Sequence, residues 1–462
     1  MRRAAIDTRG SLLAICLLAG CPERQQASQA GTSPDARGST VEPGESRCAT
    51  KSIDLVPPLD PERLQPKPIA RSVKERGREI VARWYDAKIH AQPDPQSTVI
   101  GYARRGQRVR VRGGVRGTGC PADMWYALVD GGYACAAREF REATVDVPHP
   151  VRPRLDRSLP FGYARVTLEG APSFEELPSA DSLPSILSAL ASGERPPSGT
   201  PLQGAHFITS VELLEHEGHR FHRTDVGHFV LDQHVSALEP SRLHGEPLST
   251  PEQLPLGLVR TRDAVVRCDC DEAIEPCGRA QPFARFGIAG RRMLPEGEHV
   301  VTTEGHLVAV EDVGIAALRS PPAKVGADER WIHVSLAQQT LVAYEGTRPV
   351  HATLVSTGKG KHATPPGLWR VDRMYVSTTM SGPDEDKGSY TVAQVPWTMF
   401  YDGDFALHGA YWHEDFGHVR SHGCTNIPPA DARWLFAWSG PLPSGWHAAS
   451  HLQGPWVFIT ED

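Results

Sequence analysis

The sequence predicts a mainly β protein, because short segments with period-two alternation recur along the chain and turn-forming residues are abundant. The 462 residues include 43 Gly and 40 Pro, more than the usual share, which favours many turns and irregular connections. A chain of this length exceeds what one hydrophobic core can organise and suggests about three domains. We therefore expect several β-rich modules joined in tandem.

The overall composition is that of an ordinary globular protein and excludes one large class of partner. Hydrophobic residues make up 40% and charged residues 23% of the chain, and the formal net charge is -6 at pH 7. The sequence contains no stripe of Lys and Arg with interleaved aromatic residues that could follow a phosphate backbone. We therefore expect no nucleic-acid partner.

The first 21 residues have the pattern of a bacterial export signal. Basic residues near the N-terminus precede an apolar run, 12–18, that is too short to span a bilayer. The run leads into Leu18-Ala19-Gly20-Cys21, which resembles the lipobox of bacterial lipoproteins, whose cysteine is acylated and becomes the mature N-terminus. An ordinary secretory signal with an incidental cysteine is the alternative. The resemblance implies lipidation at Cys21, a membrane anchor and a location in the cell envelope, facing the periplasm.

Residues 22–75 are predicted to be a disordered tether between this anchor and the folded modules. The segment is rich in Ser, Gly, Pro, Gln and charged residues and has few aromatics, so it cannot bury enough apolar surface to offset its chain entropy. Fully extended, about 50 residues reach on the order of 170 Å. Such a tether would hold the folded part well away from a membrane surface.

Residues 78–142 show short alternating segments separated by Gly-rich turns, which predicts a small β-barrel. The segments are Val99–Ala103, Arg108–Val111, Trp125–Val129 and Gly132–Cys135. This pattern resembles the bacterial SH3-like domain, a module often attached to enzymes that act on the cell wall. A generic β domain that spaces or covers an enzyme is the alternative interpretation.

The region 155–325 is predicted to contain further β-rich modules, because two of its segments echo one another. The stretch Thr224–Val230 resembles Thr303–Val308 in its Gly-His-apolar pattern. Repeated segments indicate copies of one supersecondary unit, which could again be SH3-like. A Pro- and Ser-rich stretch, 178–204, is expected to be a loop or an insertion.

The last region, 329–460, is predicted to have a β scaffold with one helix. Its strand-like segments are Trp331–Leu336, Thr340–Tyr344, Val350–Thr357 and Leu368–Tyr375. The helix follows the proline pair at 428–429, since the first helical turn lacks internal N–H partners in any case. Ala432, Leu435 and Phe436 then fall on one face.

Two motifs in this region carry the chemistry. The first is His408-Gly409, and the second is Ser421-His422-Gly423-Cys424-Thr425-Asn426. Together with turns at 356–358 and 364–367, these strings resemble the signature of the L,D-transpeptidase (YkuD-like) family, and several ordered elements that agree are more specific than one motif. The resemblance spans 329–460. It implies a β-sandwich catalytic domain with Cys424 as nucleophile and His408 as its base.

The residue types also have a chemical reason of their own. A thiol reacts as thiolate and has an unperturbed pKa of about 8.5, so an imidazole that accepts its proton supplies the nucleophile at neutral pH. In the family, a backbone carbonyl beside the histidine orients the ring, which here implies Gly409. Gly423 can adopt a strained turn and let backbone N–H groups approach a developing oxyanion. The Cys424 N–H is the expected donor.

Ser421, His422 and Asn426 are expected to support this pair. His422 is predicted to line the nucleophile's pocket, while Asn426 is predicted either to fix the turn with a hydrogen bond or to touch substrate. His413 and His418 are expected on a loop over the site. Four imidazoles so close in sequence could instead bind zinc, but their spacing does not match H-E-x-x-H, and cysteine chemistry already accounts for the first of them. We therefore predict no metal.

The chain has nine cysteines, and export favours disulfides. If Cys16 leaves with the signal, Cys21 is lipidated and Cys424 stays reduced, an even number remains. The remaining residues are Cys48, Cys120, Cys135, Cys268, Cys270 and Cys277, whose connectivity the sequence leaves open. Cys120 with Cys135 is the expected pair, because both belong to one short module. The last three lack the C-x2-C spacing of zinc sites, so a disulfide-stabilised loop is preferred.

The family resemblance implies a peptidoglycan L,D-transpeptidase that needs no cofactor. Cys424 would attack the carbonyl after the L-centre of the third residue of a stem peptide, expel the terminal D-amino acid and form a thioester. An amine on a neighbouring stem would resolve it to a 3-3 cross-link, with His408 moving the protons. Other acceptors are an amine of a wall-anchoring protein, a free D-amino acid, or water, which would make the enzyme a peptide hydrolase. A wall-binding lipoprotein with a vestigial catalytic domain is the alternative from another class.

Overall fold

The structure is a computed structural model that describes residues 78–144, 151–270, 273–384, 388–440 and 442–462. The predicted signal peptide with Cys21, the tether and Cys48 lie outside the described residues. The described residues all fall in one compact unit. Their fold is mainly β, as the sequence predicts.

The first β module, 78–144, is a curved sheet around a small core. Its strands are β1 Arg78–Ala82, β2 Ala87–His90, β3 Val99–Ala103, β4 Arg108–Arg116, β5 Met124–Leu128, β6 Tyr133–Cys135 and β7 Phe140–Glu142. Their hydrogen-bonded order is β3-β2-β6-β5-β4-β1-β7, so the sheet is not closed by pairing of β3 with β7. Ile80, Ile89 and Phe140 are fully buried between its strands. The SH3-like identity of this module stays a prediction.

The second β module, 151–238, contains two sheets and a helix. Its strands are β8 Gly162–Val166, β9 Ala171–Phe174, β10 Thr200–Leu202, β11 Ala205–Ser210, β12 Glu212–His216, β13 His219–Arg223, β14 Phe229–Leu231 and β15 Val235–Leu238. Helix α1, Leu183–Ser192, lies within the stretch 178–204, which was expected to be a loop or an insertion, so this stretch is not a loop throughout. Leu183 and Ile186 are buried at helical spacing, and this apolar face outweighs the Pro and Ser content of the segment.

The third β module, 256–316, is a single sheet that follows the short strand β16, Glu246–Pro247. Its strands are β17 Leu256–Val259, β18 Ala264–Cys270, β19 Ala273–Ala280, β20 Arg285–Leu294, β21 Gly297–Thr302, β22 Leu307–Ala309 and β23 Val313–Ala316. The order is β19-β18-β22-β21-β20-β17-β23.

The two echoing sequence segments form the same local structure. In each, a threonine hydroxyl accepts the N–H of a following histidine, from His228 to Thr224 at 3.0 Å and from His306 to Thr302 at 3.1 Å. A strand, a short 3-10 helix and a further strand follow in both copies. The echo therefore marks a repeated supersecondary unit, whose second copy begins at Thr302, one residue before the stretch recognised in the sequence. The 3-10 helices of the described chain are Pro121–Asp123, Asp232–His234, Pro251–Gln253, Val310–Asp312 and Gly360–His362.

Disulfide bonds crosslink two hairpins, one in the first β module and one in the third. Cys120 and Cys135, the pair expected from the sequence, are bonded with a Cα–Cα distance of 5.7 Å. Cys268 and Cys277 are bonded across β18 and β19, and Cys270 is also disulfide-bonded. This cluster is therefore a disulfide-stabilised hairpin, as preferred over a zinc site. Each crosslink restricts the unfolded chain and stabilises a module whose core is small.

The C-terminal region, 329–460, is a sandwich of two sheets with a helix packed beside it. Its elements are β24 Arg330–Ser335, β25 Thr340–Glu345, β26 Arg348–Leu354, β27 Gly367–Arg370, β28 Arg373–Asp384, β29 Gly388–Asp402, β30 Phe405–Gly409, β31 Thr425–Ile427, α2 Pro429–Ser439, β32 Ala448–Ala449 and β33 Trp456–Thr460. One sheet has the order β16-β26-β25-β24-β33-β27, and its inner face packs on β28–β31 and on α2. In the described part of the chain, neither helix combines the length and apolarity needed to cross a bilayer.

The helix and one strand of this region test the sequence predictions directly. Helix α2 begins at the predicted proline pair and buries Ala432, Leu435 and Phe436, so that prediction is confirmed. The segment Leu368–Tyr375 is not one strand, because the chain leaves β27 at Arg370 and enters the opposite sheet as β28. Val371, between them, is fully buried in the core of the sandwich. Apolar alternation continues across this crossover and therefore conceals it.

One sheet runs through three parts of the protein. Its main path is β15-β8-β11-β29-β28-β32-β3-β2-β6-β5-β4-β1-β7, with β30 and β31 branching from β29. Strand β11 of the second module pairs in parallel with β29, and β3 of the first module pairs with β32. Position 101 on β3 requires glycine, because a Cβ there would lie only 2.2 Å from the ring of Trp446. The hairpin β28–β29 is therefore held from both sides.

Arg104 forms a buried polar junction among these three parts. Its guanidinium donates to the Tyr85 hydroxyl at 2.9 Å and to Oε1 of Gln394 at 2.6 Å, and it lies 3.6 Å from the carboxylate of Asp225. The side chains of Arg104 and Asp225 are only 1% and 4% exposed. Thr209 also donates to Asp225. A buried ion pair stabilises the fold only while all of its partners are present, because an unpaired charge away from water is costly.

We predict that Arg104→Ala strongly destabilises the protein, because it leaves the Asp225 carboxylate buried without its cation. Loss of one partner of a buried pair costs about 3–5 kcal/mol. Arg105→Ala is the matched control, since the neighbouring arginine is exposed. The free energy of unfolding of both variants, measured with denaturant, should differ by that amount. Equal values would contradict a junction of this kind.

Candidate active site

The pairing of β30 with β31 brings the two predicted catalytic residues to one cavity. The strands are parallel, with His408 opposite Asn426, so Cys424 lies immediately before β31 and against the start of β30. The Cys424 thiol donates to the Asp404 carbonyl, with an S to O distance of 3.5 Å, and the Ala406 backbone also bonds the sulfur. His408 is two residues beyond Ala406 on the same face of β30, a backbone spacing of about 7 Å. His408 and Cys424 line one cavity of about 390 Å³.

The backbone orients the His408 imidazole. Its Nδ1 lies 3.2 Å from the carbonyl oxygen of Gly409, the acceptor implied by the family resemblance. A neutral ring that donates from Nδ1 keeps Nε2 as its acceptor. Burial lowers the pKa of His408 to about 4, and the bond to Gly409 opposes this shift only in part. The ring is therefore neutral at neutral pH, with Nε2 unprotonated.

The Cys424 thiol is also neutral at rest. Burial raises its pKa to about 11; the hydrogen bond from Ala406 opposes this shift and the Asp404 carboxylate adds to it. The residue is nevertheless partly exposed to the cavity, and it is the free cysteine of the described chain. The cavity is therefore lined by a neutral thiol and a neutral imidazole. Reaction requires the proton to move as the sulfur attacks.

Ser421 and Gly423 shape the turn that presents the sulfur. The Ser421 hydroxyl donates to the Cys424 carbonyl and accepts the Gly423 N–H at 3.1 Å. These two hydrogen bonds stabilise the turn. Gly423 has φ +122°, and a Cβ there would lie 2.7 Å from the Phe405 ring. A glycine is required for both reasons. The Gly423 N–H is already bonded to the Ser421 hydroxyl, so it is not available to a ligand.

The two upstream turns singled out in the sequence support this loop. Thr364 donates to the Gly423 carbonyl at 2.6 Å and accepts the Gly358 N–H at 2.9 Å. The Ser421 N–H donates to the Thr357 carbonyl at 3.0 Å. The motif segments are thus distant in sequence but form one hydrogen-bonded unit around Cys424.

Asn426 both fixes the structure and borders the cavity. Its amide contacts Nε2 of His413 at 2.8 Å, and its backbone exchanges two hydrogen bonds with Ser356. Burial, aided by Arg420 and His408, lowers the pKa of His413 to about 3, so this ring is neutral. His413 lies on the loop between β30 and β31, where its buried ring contacts Asn426. Asn426 itself lines the cavity.

The remaining histidines do not form a metal cluster. His422 lines the cavity, as predicted, stacks on Tyr390 and lies 3.6 Å from the Asp384 carboxylate. His418 is exposed and is not among the residues around the cavity. Within the described ranges, no group of three or more His, Cys, Asp or Glu side chains is arranged to hold a metal ion.

One wall of the cavity comes from the second β module, which the sequence did not predict. Arg165 on β8 and Ala205 and Phe207 on β11 line it together with the C-terminal region. The Phe207 ring packs on Trp412 with a centroid distance of 6.5 Å, and Trp412 packs on the His408 ring at 5.7 Å. No motif marks these residues. Their only sequence signal is the strand pattern of β8 and β11, which does not reveal the partner strand.

The charges around the cavity are mainly positive. Among the described residues, its lining includes the basic side chains Arg165, Lys359 and Arg420 and the acidic side chain Asp384. Arg420 is paired with Asp415 at 2.5 Å outside the cavity lining. Apolar residues, including Met380, Val392 and Val395, form much of the remaining surface. Such a cavity suits a peptide that carries carboxylates.

One family model matches part of the C-terminal region. Residues 329–445 match the YkuD family model, the L,D-transpeptidase catalytic domain. No curated protein sequence matches the chain.

Solved structures of L,D-transpeptidases are similar to part of the chain. One from Stackebrandtia nassauensis is 22% identical, with 30% of this chain and 58% of that chain covered and a TM-score of 0.22. One from Enterococcus faecium is 20% identical, with 32% and 55% covered and a TM-score of 0.24. L,D-transpeptidase 3 of Mycobacterium tuberculosis is 18% identical, with 38% and 79% covered and a TM-score of 0.24. This chain thus spans little more than half the length of the first two.

We predict that alkylation of Cys424 by iodoacetamide accelerates with pH beyond pH 9. The reason is the raised thiol pKa of about 11, because the thiolate fraction keeps growing up to that pH. Mass spectrometry of the unreduced protein gives the rate at this cysteine. Glutathione, treated in parallel, should level off nearer the ordinary thiol pKa. An alkylation rate of Cys424 that reaches its plateau near neutral pH would show that the resting enzyme contains a thiolate. That result would contradict a neutral Cys424 thiol.

We also predict that Gly423→Ala destabilises the protein more than Gly440→Ala does. Both glycines have strongly positive φ, +122° and +146°, so alanine is strained at either position by about 1–3 kcal/mol. Only at 423 would the new Cβ also meet a ring, that of Phe405, since no described atom lies within 4 Å of a Cβ at 440. Denaturant unfolding of both variants measures the difference. Equal losses in the free energy of unfolding would show that the Phe405 ring moves away from the new Cβ without cost.

Proposed function

We propose that this chain is an L,D-transpeptidase of the bacterial cell wall, which forms a thioester between Cys424 and a peptidoglycan stem peptide and transfers the acyl group to an amine. The observation that carries the proposal is the shared cavity of Cys424 and His408, inside the region that matches the L,D-transpeptidase catalytic domain. The Gly409 carbonyl that holds Nδ1 of His408 supports it, because this bond leaves Nε2 as the proton acceptor.

In the first half-reaction, the Cys424 sulfur attacks the carbonyl that follows the L-centre of the third stem residue. The thiol proton passes to Nε2 of His408 as the sulfur–carbon bond forms, because neither group is charged beforehand. The Cys424 N–H stabilises the negative charge that develops on the carbonyl oxygen. The carbon–nitrogen bond then breaks, and the imidazolium returns its proton to the departing D-amino acid. A thioester on Cys424 remains.

In the second half-reaction, an amine of a neighbouring stem attacks the thioester. His408 takes a proton from the attacking nitrogen and returns one to the Cys424 sulfur as the carbon–sulfur bond breaks. The product is a 3-3 cross-link and the free thiol is restored.

We extend the proposal to the place of this reaction: the lipobox-like string ending at Cys21 would anchor the chain in the cell envelope, facing the periplasm.

We predict that the full chain converts tetrapeptide-stem muropeptides into cross-linked dimers and that Cys424→Ala and His408→Ala lower this rate at least about 10³-fold. Mass spectrometry follows the products, and the intact mass of the protein reports the thioester. His418→Ala is the matched control, because this exposed histidine is not part of the cavity.

Different outcomes separate the alternatives. Shortened monomers without dimers would assign the protein as a hydrolase that uses water as acceptor. Pelleting with the cell wall but no turnover would favour a binding lipoprotein with a vestigial catalytic domain. Full activity of Cys424→Ala would overturn the proposed mechanism altogether.

A further inference from the structure

We propose that Arg165, on the second β module, binds a free carboxylate of the peptide substrate. The substrate site would then be built by two parts of the chain, one of which lies outside the region that matches the catalytic family. This inference rests on the proposed function and goes beyond it by assigning a recognition residue and the chemical group that it recognises.

Arg165 lies at the end of a row of side chains that crosses the shared sheet. Met380 on β28 pairs with Val392 on β29, Val392 pairs with Phe207 on β11, and Phe207 pairs with Arg165 on β8. Cross-strand neighbours point to the same face of a sheet. All four residues line the cavity that holds Cys424 and His408. The row is therefore an apolar surface that ends in a guanidinium.

The size of this row suits a short peptide. Neighbouring strands are about 4.8 Å apart, so the Arg165 backbone lies about 10 Å from that of Val392. An extended peptide covers this distance with about three residues. Aliphatic parts of a stem peptide can lie on Met380, Val392 and Phe207 while a carboxylate reaches the guanidinium.

The charges of the cavity lining single out Arg165. Arg420 forms an ion pair with Asp415. Asp384, the acidic residue of the described lining, lies 3.6 Å from His422. Arg165 is exposed and has no ion-pair partner among the residues that the structure describes. A guanidinium binds a carboxylate through two parallel hydrogen bonds, which fixes orientation as well as charge. Lys359 also lines the cavity, but an ammonium lacks this planar fork.

The backbone around Arg165 holds it in place. Strand β8 is paired on both sides, with β11 and with β15, and β11 in turn is paired with β29. Gly204, just before β11, approaches β29 so closely that a Cβ would lie 2.2 Å from the Ser389 carbonyl oxygen. A recognition residue on a strand fixed in this way is positioned before the ligand arrives.

The test measures peptide binding to the full chain in the Cys424→Ala background, so that no turnover is needed. The probes are a tetrapeptide stem with free carboxylates, the same peptide amidated at its C-terminus, and the same peptide amidated at the side-chain carboxylate of the third residue. Isothermal titration calorimetry gives the dissociation constants. Arg165→Ala and Arg165→Lys are compared with Arg195→Ala, an exposed arginine of the same module away from the cavity.

We expect one of the two amidations to weaken binding about tenfold or more, which identifies the carboxylate concerned. Arg165→Ala should weaken binding of the free peptide by a similar factor and remove the difference between free and amidated peptides. Arg165→Lys should restore part of that difference, while Arg195→Ala should behave like its parent.

An unchanged ratio of free to amidated binding in Arg165→Ala, or no measurable binding of any probe, would overturn the inference. Thioester formation by the unsubstituted protein is measured separately. If the thioester forms but Arg165→Ala does not change the ratio of free to amidated binding, only the role of Arg165 is wrong. If that ratio depends on Arg165 but no thioester forms, the proposed catalytic function is wrong instead.

Discussion

The parallel pairing of β30 with β31 is the interaction on which the site depends. Its register places His408 opposite Asn426 and Cys424 immediately before β31, so both side chains line one cavity although a long loop separates them in the chain. Two backbone bonds between Asn426 and Ser356 and the contact of Asn426 with His413 secure this register. A slip by one residue would turn these side chains to the opposite face of the sheet and dissolve the pair.

The environment of the pair then determines its chemistry. Burial raises the pKa of the Cys424 thiol and lowers that of the His408 imidazole, so both groups rest in their neutral forms. A neutral thiol resists oxidation better than a thiolate does, which suits an unpaired cysteine in a chain that also carries disulfides. The same burial depends on Trp412 beside His408, and Trp412 in turn is packed by Phe207 from the second module.

Local sequence signals account for the catalytic motif and much of its scaffold. Helix α2, most strands of the C-terminal region and the repeated hairpin units follow from periodicity and turn residues within a few positions of one another. Contacts between distant segments leave no such signal. The pairing of Phe207 with Val392, the burial of Arg104 beside Gln394 and the insertion of Trp446 against Gly101 each join residues far apart in the chain. Helix α1 was concealed by its composition, and the break at Val371 by unbroken apolar alternation.

The shared sheet limits how the cavity can open. Hinged enzymes admit their ligands by swinging one lobe away from another about a few loop residues. Here the wall that carries Phe207 is joined to β29 by a ladder of main-chain bonds, and such a swing would have to unzip that ladder. Opening of the cavity on this side would therefore cost the main-chain hydrogen bonds between β11 and β29. A ligand that enters without breaking them has to fit the cleft between the paired strands.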